Sequence, residues 1–331
     1  MIWLTWRQFR GSALTALIGL TVLAIYFVVL GLSIRSSYQN DLVGCQPAVC
    51  DQARRLFLNT YAEQVGLSGA LLIAVPALAG VFWGAPLIAR ELEENTHRLV
   101  WNQSVTRTHW LAVKLGLVTL FAVVVTGLFS VLLTWSASRF DQVNGDRFGA
   151  LLFASRNVAP LGYALFAVLL GAVVGLLLRR TVLAMAVTLA VFAVVQVLMG
   201  TVIRSHFMPP VTATVILDQE AMRNIQGMGM NDVRGRIFGY TIPGSWSMSE
   251  ENDLYKPDGS PFTVADAKTC MGEDDMRAEQ DCQAKKKLYF THSYHPADRY
   301  WSFQWIELGI FVGLSLLLAA LAFRRIRQSA G

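Results

Sequence analysis

Six stretches of about 20 residues carry almost no charge: 12–34, 67–89, 111–135, 158–178, 181–203 and 301–323. As a helix rising about 1.5 Å per residue, a run of that length crosses a hydrocarbon layer of about 30 Å. Lipid offers no water to a backbone N–H or C=O, so each stretch must close its hydrogen bonds within itself, and the helix does this. That requirement overrides the two soluble domains that 331 residues would otherwise suggest. It predicts an all-α polytopic membrane protein with six transmembrane helices. The chain is 15% charged, against about 25% in soluble domains. The first run follows Arg7 and Arg10 as a signal peptide would, but it exceeds a signal core of about 7–15 residues and no small-x-small cleavage site follows. It is read as a retained span.

An even number of spans puts both termini on one side. That side would hold Arg7, Arg10, Arg90, Arg98, Arg107, Lys114, Arg179, Arg180, Arg324, Arg325 and Arg327, clustered at span ends. The positive-inside rule then makes both termini cytoplasmic and the chain a multi-pass protein of the plasma membrane. Nucleic acid is not an expected partner, because the basic residues do not mass on one surface; membrane lipid is. Cys45, Cys50, Cys270 and Cys282 all fall on the outward side, where oxidising conditions favour disulfides. Three connectivities are possible, and proximity favours Cys45–Cys50 with Cys270–Cys282. A metal site is the rival, but no His stands near either pair at zinc-finger spacing.

Three domains follow: 1–203 with an N-terminal elbow and five spans, 204–300 as a disulfide-bearing extracellular domain, and 301–331 with span six and a cytoplasmic tail. Ile2, Trp3, Trp6 and Phe9 form an apolar face at the start, suited to the membrane interface or simply the frayed beginning of span one. Gly80/Gly84, Gly171/Gly175 and Gly309/Gly313 are small-xxx-small pairs that would let helix backbones approach. Pro76 and Pro86 should kink span two. The segment 35–66 reads as an outer loop. In 204–300, "TVILD" could be one short strand, but the pattern is poor. No Gly-Lys dipeptide occurs, so there is no Walker A loop, and HExxH, GxSxG and CxxC are absent. The chain is not expected to be an enzyme.

Between spans two and three lies "ARELEENTHRLVWNQSVTRTHW", residues 89–110. Glu91, Glu93 and Glu94 stand near the start of a predicted helix and Arg98 near its end, the order the helix dipole prefers. Glu94 and Arg98 are spaced i,i+4, and Leu92, Leu99 and Val100 could share a face. A plain connector needs about 2–8 residues, so this longer segment predicts a docking surface rather than a solvated loop. The stretch 84–116, "GAPLIARELEENTHRLVWNQSVTRTHWLAVKLG", resembles the membrane subunits of ABC-2 type ABC transporters, in particular a set of actinobacterial permeases. Asn95 stands where Gly is common before Thr96 in that family. The stretch 294–311, "YHPADRYWSFQWIELGIF", is similar to the entry of the last span in the actinobacterial set.

The resemblance implies a coupling helix near 91–100 within a cytoplasmic segment at 90–110, with Glu91, Leu92, Glu93, Glu94, Thr96, His97, Arg98 and Leu99 facing a separate ATPase. It implies two ATPase subunits, which would bind ATP and Mg, and a second permease, identical or homologous. No cofactor is expected on this chain. Glu307 is the one acidic residue inside a span, with Gln304 one turn before it. Intramembrane charge usually faces a bundle interior or an aqueous path. Glu307 therefore lines a translocation path or gate with Gln304, or it partners an arginine such as Arg299 or Arg204. The function expected is outward movement of an amphipathic or hydrophobic compound by an ATP-driven exporter. The alternative is a non-transporting receptor or assembly factor with a ligand-binding extracellular domain. An ion-coupled transporter is disfavoured, since a lone carboxylate makes a poor proton relay.

Overall fold

The computed structural model describes residues 2–45, 47–94, 106–230, 233–268 and 286–328, with backbone alone for 2–17, 47–48 and 107. The described chain divides into two units. One comprises Met1–Asn144, Ala150–Arg204 and Trp301–Gly331; the other comprises Gly145–Gly149 and Ser205–Tyr300.

The first unit is helical and contains six helices long and apolar enough to cross a membrane. Span one is carried by Ile2–Ser37, span three by Arg107–Asn144, span four by Ala159–Leu178, span five by Thr181–Leu198 continued by a π-helical turn Met199–Ile203 up to Arg204, and span six by Tyr300–Gln328. Span two is Pro47–Ala79, then a π-helical turn Gly80–Gly84, then Ala85–Glu93. Pro76 lies one turn before that π segment, where its missing N–H already loosens the hydrogen-bond ladder. Pro86 stands in the first turn of the following helix, where no N–H partner is required of it.

Span four is the axis. It is 72% buried, against 22–44% for the other five. Its small residues permit this. A Cβ on Gly80 would meet the Ala167 carbonyl oxygen at 2.6 Å, and one on Gly171 would meet the Ala85 nitrogen at 2.7 Å. A Cβ on Gly175 would come within 2.5 Å of the Ala85 oxygen. Spans two and four therefore touch backbone to backbone, with both glycine pairs at the crossing. The third pair differs: nothing lies within 4 Å of a Cβ at Gly309 or Gly313.

Away from the termini the helices extend beyond the apolar runs of the sequence. Residues read from sequence as the loop 35–66 are largely helical from Pro47 onward. Phe57, Tyr61 and Val65, spaced by four, form a buried face against Leu30, Ile34, Ala137 and Phe140. Arg54 donates to the Val143 carbonyl at 2.7 Å, and Arg35 donates to the Trp135 carbonyl at 2.7 Å. Cys45 and Cys50 form a disulfide across the turn before this helix, with Cα atoms 5.5 Å apart. Cys270 and Cys282 lie outside the described residues.

The second unit corrects the all-α expectation. It holds a six-stranded antiparallel sheet of order β1-β6-β5-β3-β2, with β4 on β6. The strands are β1 Val211–Ile216, β2 Gly227–Met230, β3 Gly235–Phe238, β4 Trp246–Ser247, β5 Glu251–Tyr255 and β6 Tyr289–His295. Leu217, Ile237, Leu254, Phe262, Leu288 and Phe290 make its core. Strands this short, one of them "GMGM", carry little alternating pattern, and the partners of β6 come from as far back as residue 211.

His292 on β6 is fully buried. Its Nε2 is 3.2 Å from Ser247 Oγ, its Nδ1 is 3.5 Å from Asn252 Nδ2, and the Ser247 hydroxyl donates to the Tyr240 carbonyl at 3.1 Å. These bonds close with the imidazole neutral and its proton on Nε2, donating to Ser247. That direction is opposite to a base activating a nucleophile, so the group is structural. Burial lowers the His292 pKa; burial and then the nearby Arg299 lower that of His295, against the Ser205 carbonyl.

Two predictions follow from this architecture. Gly171→Val should lower stability by about 1–3 kcal/mol through overpacking at the crossing, while Gly309→Ala should not; thermal unfolding of the purified chain measures both. Both histidines have folded pKa values below the unfolded value of about 6.5. Their contribution is complete above that pH and is lost as pH falls from there through the folded values. The midpoint of thermal unfolding should therefore drop between about pH 7.5 and 5.5, and drop less in His292→Gln.

Candidate functional site

Two groups of charged residues, one toward each end of the helical unit, make ion pairs between spans. At the end bearing both termini, span two finishes in the helix Ala85–Glu93, which carries Glu91 and Glu93, with Glu94 directly after it. Its buried side, Ile88 with Leu92 against it, packs on Trp110, Leu111 and Leu115 of span three and Ile326 of span six. Leu92 thus contributes to the bundle's own core.

Each glutamate has a different partner. Glu91 accepts from Lys114 of span three, whose ammonium sits 4.8 Å from the centre of the Trp110 ring. The lysine side chain is 6% exposed and the glutamate 16%, so this pair lies in a medium where losing one partner is costly. Glu93 Oε2 accepts from the backbone N–H of Thr181 at 2.9 Å and from its hydroxyl at 2.7 Å. Glu94 accepts from Arg90 at 3.0 Å in an exposed i,i+4 pair. Thr96, His97, Arg98 and Leu99 lie outside the described residues, as does the rest of the expected helix beyond Glu94.

At the opposite end Glu307 of span six is fully buried. Arg204, at the end of span five, grips it with both arms: Nε to Oε2 at 2.8 Å and Nη2 to Oε1 at 3.0 Å. The Tyr163 hydroxyl of span four donates to the same Oε1. The guanidinium lies 4.2 Å from the centre of the Phe153 ring, and its Nη1 has no hydrogen-bond partner among the described residues. Gln304 is buried one turn away. Its oxygen accepts from the Ala159 N–H at 3.0 Å and its nitrogen donates to the Phe153 carbonyl at 3.1 Å, satisfying the start of span four. Of the two arginines offered by the sequence, Arg204 is the partner; Arg299 donates instead to the Pro209 carbonyl at 2.6 Å.

Sequence reading passed over Lys114, Thr181 and Tyr163. Lys114 and Tyr163 carried a legible cue, each being a lone polar residue in an apolar run. Thr181 carried none, since its partner lies 88 residues earlier.

A bidentate pair removed from water is strong while whole and costly when halved. Glu307→Ala should therefore cost about 3–5 kcal/mol of stability by leaving Arg204 buried and unpaired. Adding Arg204→Met to it should recover much of that loss. A double-mutant cycle on thermal unfolding measures the coupling; additive losses would show that the two side chains act independently.

No curated protein and no solved structure matches this chain. A family match does. It runs over residues 17–204, more than half of the chain, and takes in spans one to five and the polar segment after span two. The chain is a multi-pass membrane component, and it belongs to the ABC-2 membrane transporter related family.

Proposed function

We propose that this chain is the permease subunit of an ATP-driven exporter and moves an amphipathic or hydrophobic compound outward. The observation that carries the reading is the family match over residues 17–204. The missing Walker A loop agrees with it, since ATP and Mg would then be bound by a separate ATPase and this chain would not be the enzyme. The assembly is two permeases, identical or homologous, with two ATPases at the cytoplasmic face of the plasma membrane. The clustering of arginines at span ends supports cytoplasmic termini and an extracellular sheet unit.

The hydrophobic class of cargo has its own support. A cavity of about 600 Å³ opens between spans one, two and three, lined by Leu20, Leu23, Leu78, Phe82, Trp83 and Val125. It lies in the size range of small-molecule sites, and the side chains that line it are hydrocarbon and aromatic.

Glu91 and Glu93 are engaged within the chain, so reversing their charge would disturb the bundle as well as any docking. Leu99→Asp is the cleaner probe, since it places a charge where the docking helix would bury an anchor. The full chain, affinity-purified from its native membrane, should bring down a P-loop ATPase and ATP hydrolysis. Leu99→Asp at matched levels should lose at least tenfold of both, about 1.4 kcal/mol of docking energy. A wild-type chain that brings down no ATPase but a ligand on its sheet unit would favour the receptor reading instead.

A further inference from the structure

The turn between spans four and five is two residues long. Arg179 ends span four in the left-handed conformation, with its N–H on the Gly175 carbonyl at 3.0 Å, and Arg180 is extended. Thr181 then begins the helix of span five. A helix start exposes N–H groups that have no partner within the helix. A Ser, Thr, Asp or Asn at the preceding position usually supplies one. Here that position is Arg180, which makes no side-chain cap. The acceptor comes from elsewhere: Glu93, the last residue of the helix that finishes span two, takes both the N–H and the hydroxyl of Thr181. Its negative charge stands on the positive end of the span-five dipole.

Span five is otherwise lightly held. Only Ala184, Thr188 and Phe192 are buried along Thr181–Leu198, and Val182, Leu189, Val194 and Val197 are exposed. Its far end is gripped by Glu307 through Arg204. The helix is thus pinned by a carboxylate at each end, with Ala184, Thr188, Phe192 and Met199 buried between them. The other two glutamates have partners of their own, Glu91 pairing with Lys114 and Glu94 with Arg90.

We infer that Glu93 is a positioning residue that passes displacement of the cytoplasmic segment after span two to the start of span five. The inference rests on the permease reading. A movement of that segment shifts Glu93 directly, because only Glu94 separates it from residues 95–105. The two bonds to Thr181 then pull on the helix at the point where its own turn is shortest. Because span five has few buried contacts, a displacement of its first turn meets little resistance from packing.

The test uses the full chain with its co-purified ATPase in lipid nanodiscs, followed by hydrogen exchange at residues 181–184, with and without ATP plus vanadate. In the wild type, nucleotide should change exchange in this first turn. Glu93→Ala should raise exchange there about three- to tenfold without nucleotide, as loss of a helix cap does. Compared at equal amounts of bound ATPase, it should abolish the response to nucleotide. Glu93→Gln retains an oxygen that accepts both bonds and should restore both behaviours. Thr181→Val, which keeps the N–H but not the hydroxyl, should fall between, and it decides the matter if Glu93→Ala fails to fold. Unchanged exchange without nucleotide in Glu93→Ala would overturn the cap. A nucleotide response that survives in Glu93→Ala would overturn the transmission. If the wild type co-purifies no ATPase, the permease reading fails and the transmission falls with it, while exchange without nucleotide still decides whether Glu93 caps span five.

Discussion

Spans two and four meet at their backbones, and the helical unit is arranged around that contact. Gly80 and Gly84 on one helix and Gly171 and Gly175 on the other leave no room for a Cβ between them. In lipid no hydrophobic force draws helices together, so association depends on close packing and polar contacts. Glycine supplies the first by letting axes approach. With span four drawn in, spans two, three and six can pack round it at the terminus-bearing end, through Ile88, Trp110, Leu169 and Ala322. The π turn Gly80–Gly84 falls within the crossing, where the ladder of span two is already loosened by Pro76.

Polar contacts supply the rest, and several of them involve helix ends. Gln304 satisfies the first N–H of span four, Glu93 that of span five, and Glu307 closes the end of span five through Arg204. The first two satisfy N–H groups that a helix start leaves open, and the third pairs two buried side chains of opposite charge. The carboxylates and the amide lie on helices distant in sequence, so every such bond also ties one span to another. Stability and mechanical linkage are therefore carried by the same few side chains. A substitution at Glu93 or Glu307 must be read on both scales.

The resemblance carried by the segment after span two agrees with the family match, which covers that segment. The glutamates read there as one docking surface separate in the structure. Glu91 turns toward span three and Glu93 toward span five, leaving Glu94 with Arg90 on the exposed side. Spacing along a helix told which residues could share a face. It could not say that the face was already met by Lys114 and Thr181, because those contacts depend on how spans three and five return.

The six spans, the polar segment and the Cys45–Cys50 pairing were legible in the sequence because each rests on local chemistry: unbroken apolar length, a cluster of charge, two cysteines five residues apart. The helical face of Phe57, Tyr61 and Val65 was local too, but it was hidden among polar neighbours in a segment that resembled a loop. The sheet of 211–295 was not legible. Its strands are two to seven residues long, and β6 pairs with β1, β4 and β5 at separations no local pattern encodes. Sequence alone likewise offered Glu307 a translocation path or an arginine partner such as Arg299 or Arg204, without choosing. Tertiary structure chose Arg204, because the end of span five returns beside span six within the same buried layer as Tyr163. A charge in that layer can persist only where an opposite charge and a hydroxyl arrive from separate helices to meet it.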